Sequence, residues 1–186
     1  MTLETQHSKH HNLNTHSSSR LIPKMQSISI RTQTANDIQA ILEIQAACYP
    51  ADFIESAATL QRKQALAPKC SWLIEIEGQT LGYLFCHPWH GNTPPALGQK
   101  LAELPAHADR FYIHDLAILP TARGQQLADR LIQHALEWAK QSQFSQAMLV
   151  AVLGADSFWR KHQFTTQAAV EFSGYGDKAV CMSRPL

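Results

Sequence analysis

The sequence predicts a mixed α/β domain, with a central sheet of about six to seven strands flanked by about four helices. Three observations carry that prediction. From Tyr112 to Leu131 the chain reads as an alternating strand, a break at Pro120, a turn through Arg123 and Gly124, and an amphipathic helix. Gln146 to Val152 is a near-continuous apolar run, as in a strand covered on both faces. Ser71 to Glu77 and Gln79 to Cys86 are two strand-like runs meeting at Glu77-Gly78, a hairpin signal. At 186 residues and 45% hydrophobic content, the chain can bury a proper core.

Residues 1–26 are polar and low in complexity, with His7, His10, His11, His16 and the run Ser17-Ser18-Ser19. Such a segment buries too little surface to offset its ordering entropy, so the composition predicts a disordered tail. Its histidines are irregularly spaced with no carboxylate cluster beside them, which reads as a solvated tail and not a metal site. Met25 directly precedes the structured part, and a start there would make the tail an over-called leader. The domain is expected over 27–186.

Within it, Ser27 to Arg31 alternates as a first strand. Thr34-Ala-Asn-Asp37 supplies capping chemistry for a helix carrying Ile38, Ile41, Leu42 and Gln45 as its stripe. Glu55 to Ala67 is a second helix, stopped by Pro68. His87 to Arg110, rich in Pro, Gly and His, is a long connection with a short helix expected at Leu97 to Leu104. The central strand, Tyr112 to Leu119, puts Tyr112, His114 and Leu116 on one face and Ile113, Asp115 and Ala117 on the other. Gly124 to Gln141 is the main helix, buried through Leu127, Leu131, Ala135 and Trp138. Ala155 to His162 is a short helix, and Thr165 to Phe172 with Lys178 to Arg184 closes the sheet.

A formal net charge of +1 argues against nonspecific nucleic-acid binding, which wants a strong basic excess. No apolar run reaches the roughly 18 to 20 residues of a membrane span, and the N-terminus lacks the apolar core of a secretory signal. Cys48, Cys70, Cys86 and Cys181 show no C-x-x-C pairing and read as reduced thiols of a cytoplasmic protein.

A strand that delivers a basic, glycine-containing turn to a helix N-terminus builds an anion site, because the first helical N–H groups have no internal partner. The same pattern also occurs at ordinary βα junctions, so the turn needs support from elsewhere in the chain. It finds support in two places: Leu116-Ala-Ile-Leu-Pro120 ahead of the turn, and Ala155-Asp-Ser-Phe-Trp-Arg-Lys-His-Gln-Phe164 behind it. Together with Arg123-Gly-Gln-Gln-Leu-Ala128, these stretches and the element order resemble the GNAT superfamily of acyl-CoA-dependent N-acetyltransferases over about Ser27 to Leu186. The turn is similar to that family's signature (Gln/Arg)-x-x-Gly-x-(Gly/Ala).

The resemblance implies acetyl-CoA as co-substrate and no metal. Its pyrophosphate would lie against the backbone of Gly124, Gln125, Gln126, Leu127, Ala128 and Asp129, with the charge of Arg123 nearby. The pantetheine arm would follow Leu116, Ala117 and Ile118, with Phe158 beside it. Gln126 stands at the signature's internal glycine, and Gln143 and Gln163 stand where the family commonly has Gly. A left-handed conformation there costs on the order of 1 kcal/mol without glycine.

Chemistry in the family is direct attack of an amine on the thioester, so a base is needed. His114 is the leading candidate, since an imidazole's unperturbed pKa near 6.5 suits the task; arylalkylamine-type members are similar in carrying histidine on this stretch. Asp115 is the second, because a bulge expected there makes strand parity unreliable. The family's usual Tyr acid is replaced by Trp159, and its Asn by Val152. Tyr175 is the first replacement acid, Tyr112 and Tyr83 are others, and a thiolate can also leave unaided. Tyr49, Phe53, Glu55 and Trp89 are the candidate acceptor residues, with Glu55 or Asp52 placed to pair with an ammonium. The expected partner is a small-molecule amine, with no nucleic acid and no membrane, and a homodimer is compatible with this reading. A protein N-acetyltransferase and a non-catalytic CoA-binding domain are the alternatives.

Overall fold

The computed structural model describes residues 27–168 and 170–186, so the predicted tail over 1–26 lies outside the described residues. The strands are β1 (Ile28–Thr32), β2 (Ser71–Ile76), β3 (Gln79–Trp89), β4 (Arg110–Ile118), β5 (Gln146–Ala151), β6 (Thr165–Thr166) and β7 (Val180–Pro185). The α-helices are α1 (Ile38–Cys48), α2 (Ala57–Leu66), α3 (Leu127–Gln141) and α4 (Asp156–Lys161). One mixed sheet runs in the order β1-β2-β3-β4-β5-β7-β6. Its β4 and β5 are parallel and its other neighbours antiparallel.

Local chemistry explains most of these elements. The capping box forms as predicted, with the Thr34 N–H donating to Asp37 at 2.6 Å. Arg31 then grips Asp37 with both terminal nitrogens at 2.9 and 2.8 Å and Glu75 through Nε at 2.8 Å, tying β1 to the start of α1. Ser56 caps α2 through the Thr59 N–H. Glu77 and Gly78 both have positive φ, 50° and 80°, the conformation a two-residue hairpin between β2 and β3 needs.

Alternation places the two faces. Trp72, Ile74 and Ile76 of β2 pack with α3 residues Leu127, Leu131, Ile132, Ala135 and Ala139. Leu73 points the other way, into Ile38, Ile41, Ile44 and Leu60 from α1 and α2. A smaller cluster of Tyr112, Met148 and Cys181 lies further along the sheet.

Four expectations are corrected. Residues 97–104 form no helix, because Arg62 of α2 takes the Leu101 and Ala102 carbonyls and Glu55 takes the Gly98 N–H. Backbone groups that a helix would pair internally are bound from outside. The strand expected over Thr165 to Phe172 stops at Thr166, and Val170 and Phe172 instead cover the Tyr112 cluster. The main helix begins at Leu127, since Gly124 and Gln126 take φ of 80° and 58°. The fourth correction concerns β4. Phe85 pairs with Asp115 but Cys86 with Ile113, so His114 is the extra residue of a bulge. Parity flips there. Asp115 and Ala117 join the face of Tyr112 and His114, and Leu116 crosses to the α3 side.

Candidate active site

Parallel pairing of β4 with β5 ends at Ile113 with Leu149, although β4 continues to Ile118 and β5 to Ala151. Past that point the strands diverge, leaving one edge of Leu116, Ala117 and Ile118 unpaired toward β5 while β3 holds the other. The opening is the middle of a cleft of about 830 Å³.

The outer end of the cleft is the turn into α3. The first backbone bond of that helix runs from the Arg130 N–H to the Gln126 carbonyl, so the N–H groups of Leu127, Ala128 and Asp129 point outward without helical partners. Gly124 has a left-handed backbone with open space where a Cβ would stand, as a close-approaching phosphate requires. Arg123, Gly124, Gln126, Leu127, Ala128, Asp129 and Phe158 line this part of the cleft. Gln125 is not among the lining residues. The unpaired strand edge, the open cradle and the long cleft fit an acyl-CoA, with phosphates at α3 and a slender arm between β4 and β5.

At the inner end three buried side chains converge. His114 Nε2 lies 2.6 Å from Glu55 Oε2 and 2.6 Å from Lys63 Nζ. Lys63 Nζ sits 2.6 and 2.8 Å from the two Glu55 oxygens. Their side chains are 1%, 3% and 2% exposed for His114, Glu55 and Lys63 respectively. Burial raises the Glu55 carboxyl, but His114 and Lys63 outweigh it and hold the group down at about 2. Burial lowers Lys63 from the usual lysine value, with Glu55 opposing. Nδ1 of His114 is buried with no hydrogen-bond partner among the described residues.

Asp115 has both oxygens occupied, accepting from Tyr49 at 2.6 Å and Tyr83 at 2.5 Å. Burial raises its carboxyl pKa despite those two donors. Tyr175 lines the cleft, yet its hydroxyl donates to the Pro95 carbonyl at 2.8 Å and lies 3.0 Å from Tyr112 Oη. Burial pushes it up to about 12, a poor match for delivering a proton to a thiolate.

Of the candidate acceptor residues, Tyr49, Phe53 and Glu55 line the cleft. Trp89 does not: its indole donates to the Thr93 carbonyl at 2.8 Å and its ring packs on His87. Glu55 is already paired, so it serves His114 and Lys63 and is not a free anion for an ammonium. Sequence reasoning missed Lys63 and Leu97. The signal for Lys63 was its place between Leu60 and Gln64 on the inward stripe of α2, where a lysine needs an internal partner. Leu97 reaches the cleft only because its connection is pinned by tertiary bonds.

The sequence matches the family model "Acetyltransferase (GNAT) family" over residues 38–164. The chain belongs to the GNAT acetyltransferase family. No curated protein matches it. Solved structures share the GNAT fold at low identity. The loading GNATL domain of CurA from Lyngbya majuscula has TM-score 0.74 at 14% identity, covering 86% of this chain and 98% of that one. The GphF GNAT-like decarboxylase in complex with isobutyryl-CoA has TM-score 0.72 at 16% identity, covering 84% and 98%. The ribosomal-protein-S18-alanine N-acetyltransferase from Escherichia coli has TM-score 0.63 at 12% identity, covering 86% and 94%. Among the described residues, no helix of this GNAT protein is long and apolar enough to cross a membrane.

Proposed function

We propose that this GNAT protein transfers an acetyl group from acetyl-CoA to the primary amine of a small molecule, with His114 as general base. One observation carries the reading. In the cleft that begins at the α3 cradle, His114 is gripped at Nε2 and has an unpartnered Nδ1. The contacts at Nε2 fix the ring at the inner end of the cleft, and an imidazole is the side chain there suited to take a proton from an amine.

When bound, acetyl-CoA supplies the acyl thioester. The Leu127, Ala128 and Asp129 N–H groups hold its phosphates, and the unpaired edge of β4 offers donors to the arm and the thioester carbonyl. His114 takes the proton that the amine loses on forming its new bond. Tyr175 is assigned to holding the 90–109 connection and Asp115 to fixing Tyr49, so the thiolate departs without a dedicated acid.

The acceptor end supports a small molecule over a peptide. The 90–109 connection is tied down across it by Glu55, Tyr175 and Arg62. What remains is a pocket walled by Tyr49, Phe53 and Leu97, suited to an amine with an apolar body.

The test is free-thiol release with acetyl-CoA and a panel of primary amines, comparing wild type with His114→Ala. The variant is expected to lose about 100-fold or more in kcat/KM while its calorimetric affinity for acetyl-CoA stays within about twofold, His114 lying away from the phosphate cradle. Full activity in the variant overturns the assignment of the base. Tight acetyl-CoA binding with no turnover of any amine by wild type points to a non-catalytic CoA-binding domain.

A further inference from the structure

We infer that His162 is a positioning residue for the acyl-CoA site: by holding the Asp129 carboxylate on its imidazole, it keeps the first N–H groups of α3 open for phosphates. The inference rests on the reading that acetyl-CoA places its phosphates at that turn.

An acidic side chain in the first turn of a helix is drawn to that helix's own leading N–H groups, by their partial positive charge and by the short reach of the carboxylate. The turn into α1 shows the effect. Asp37 stands three residues after Thr34 and accepts the Thr34 N–H at 2.6 Å. At α3 the spacing is the same, since Asp129 stands three residues after Gln126, which precedes the helix. Among the described residues, however, the Asp129 carboxylate makes no such bond. Its Oδ1 lies 3.1 Å from Nε2 of His162, whose N–H donates to it.

The imidazole is well anchored. His162 directly follows α4, and its ring packs edge-on to Phe158 with centroids 4.9 Å apart. Arg184 of β7 holds the His162 carbonyl at 2.8 Å. Asp129, by contrast, stands in the cleft wall beside the N–H groups of Leu127, Ala128 and its own backbone, which have no helical partners. Released from His162, its carboxylate would compete for those groups. A carboxylate resting there excludes a phosphate twice, by taking its donors and by repelling its charge. Stability alone does not account for the pair: with side chains 17% and 54% exposed for His162 and Asp129, it is the kind of surface contact that contributes little to folding.

The test is calorimetric titration of acetyl-CoA into wild type, His162→Phe, Asp129→Ala and the double variant. His162→Phe keeps a ring against Phe158 but removes the donor, and is expected to weaken binding about fivefold or more. Asp129→Ala is expected to bind at least as tightly as wild type, and adding His162→Phe to it to change affinity by less than about twofold. Hydrogen exchange in the ligand-free protein reads the same event without binding. The Leu127 and Ala128 amides are expected to exchange more slowly in His162→Phe than in wild type, and this slowing is expected to vanish in the double variant. Thermal melts verify folding, and should His162→Phe fail to fold, His162→Ala repeats the series. An equal loss of affinity in both backgrounds makes His162 structural only and overturns the inference, as does undiminished affinity in His162→Phe. Absence of acetyl-CoA binding by wild type is a failure of the cofactor reading itself, and the exchange comparison then still decides where Asp129 rests.

Discussion

His87 and His114 lie on adjacent strands and are both buried, yet their surroundings give them opposite uses. His87 Nδ1 is 2.9 Å from the Pro88 carbonyl, Nε2 has no partner, and burial pulls the group down to about 3. The unfolded chain protonates this histidine below about 6.5, whereas the folded one resists until about 3. Its contribution to stability is therefore complete above pH 6.5 and declines as pH falls toward 3, by up to about 1.4 kcal/mol per unit. His87→Phe is expected to flatten melting temperature against pH between about 6 and 4, and a slope unchanged from wild type would contradict this. Glu55 belongs to a lower window. Its pairing stabilises the fold above about 4.5 and is lost as pH falls through about 2. At this scale His114 and Asp115 were legible because strand, residue type and turn lie close in sequence. Lys63 was not, since its partners are 8 and 51 positions away.

At the scale of elements, the bulge in β4 does what regular pairing cannot. By leaving His114 opposite no residue of β3, it brings His114 and Asp115 to the same face. The α3 turn shows a second local rule. Gln126, Gln143 and Gln163 take φ of 58°, 64° and 65°, the left-handed conformation that their replacement of glycine implied. Gln126 is exposed and caps nothing through its side chain, so little holds it beyond the chain on either side. Gln126→Gly is expected to relieve about 1 kcal/mol of strain and to tighten acetyl-CoA binding by opening the backbone. Chemical denaturation and calorimetry check the two effects separately. Weaker binding in the variant would mean that the Gln126 side chain itself contacts the ligand.

Over the whole molecule, the cleft exists because distant segments close around diverging strands. The 90–109 connection is the clearest case: Tyr175 holds Pro95 from a position 80 residues along the chain, and Gly98 rests on Glu55 from 43 residues away. Tyr175→Phe removes the hydroxyl and leaves the Pro95 carbonyl without that donor, a loss of about 1 kcal/mol. The expected result is a several-fold higher KM for the amine, unchanged acetyl-CoA affinity and faster proteolysis within 90–109. An unaltered KM would show that the connection does not shape the acceptor pocket.

The sequence by itself determined most of the strands and helices, the hairpin at Glu77-Gly78 and the turn that delivers β4 to α3. These depend on periodicity and on turn chemistry acting over a few neighbours. Only the tertiary structure decided the rest: that His114 Nε2 meets both Glu55 and Lys63, that Glu55 faces Lys63 instead of a substrate, that Trp89 packs outside the cleft, and that residues 97–104 are a strap and not a helix. Those outcomes depend on long-range pairing of buried polar groups. Burial makes such pairing obligatory, and chain order does not reveal which partners will meet.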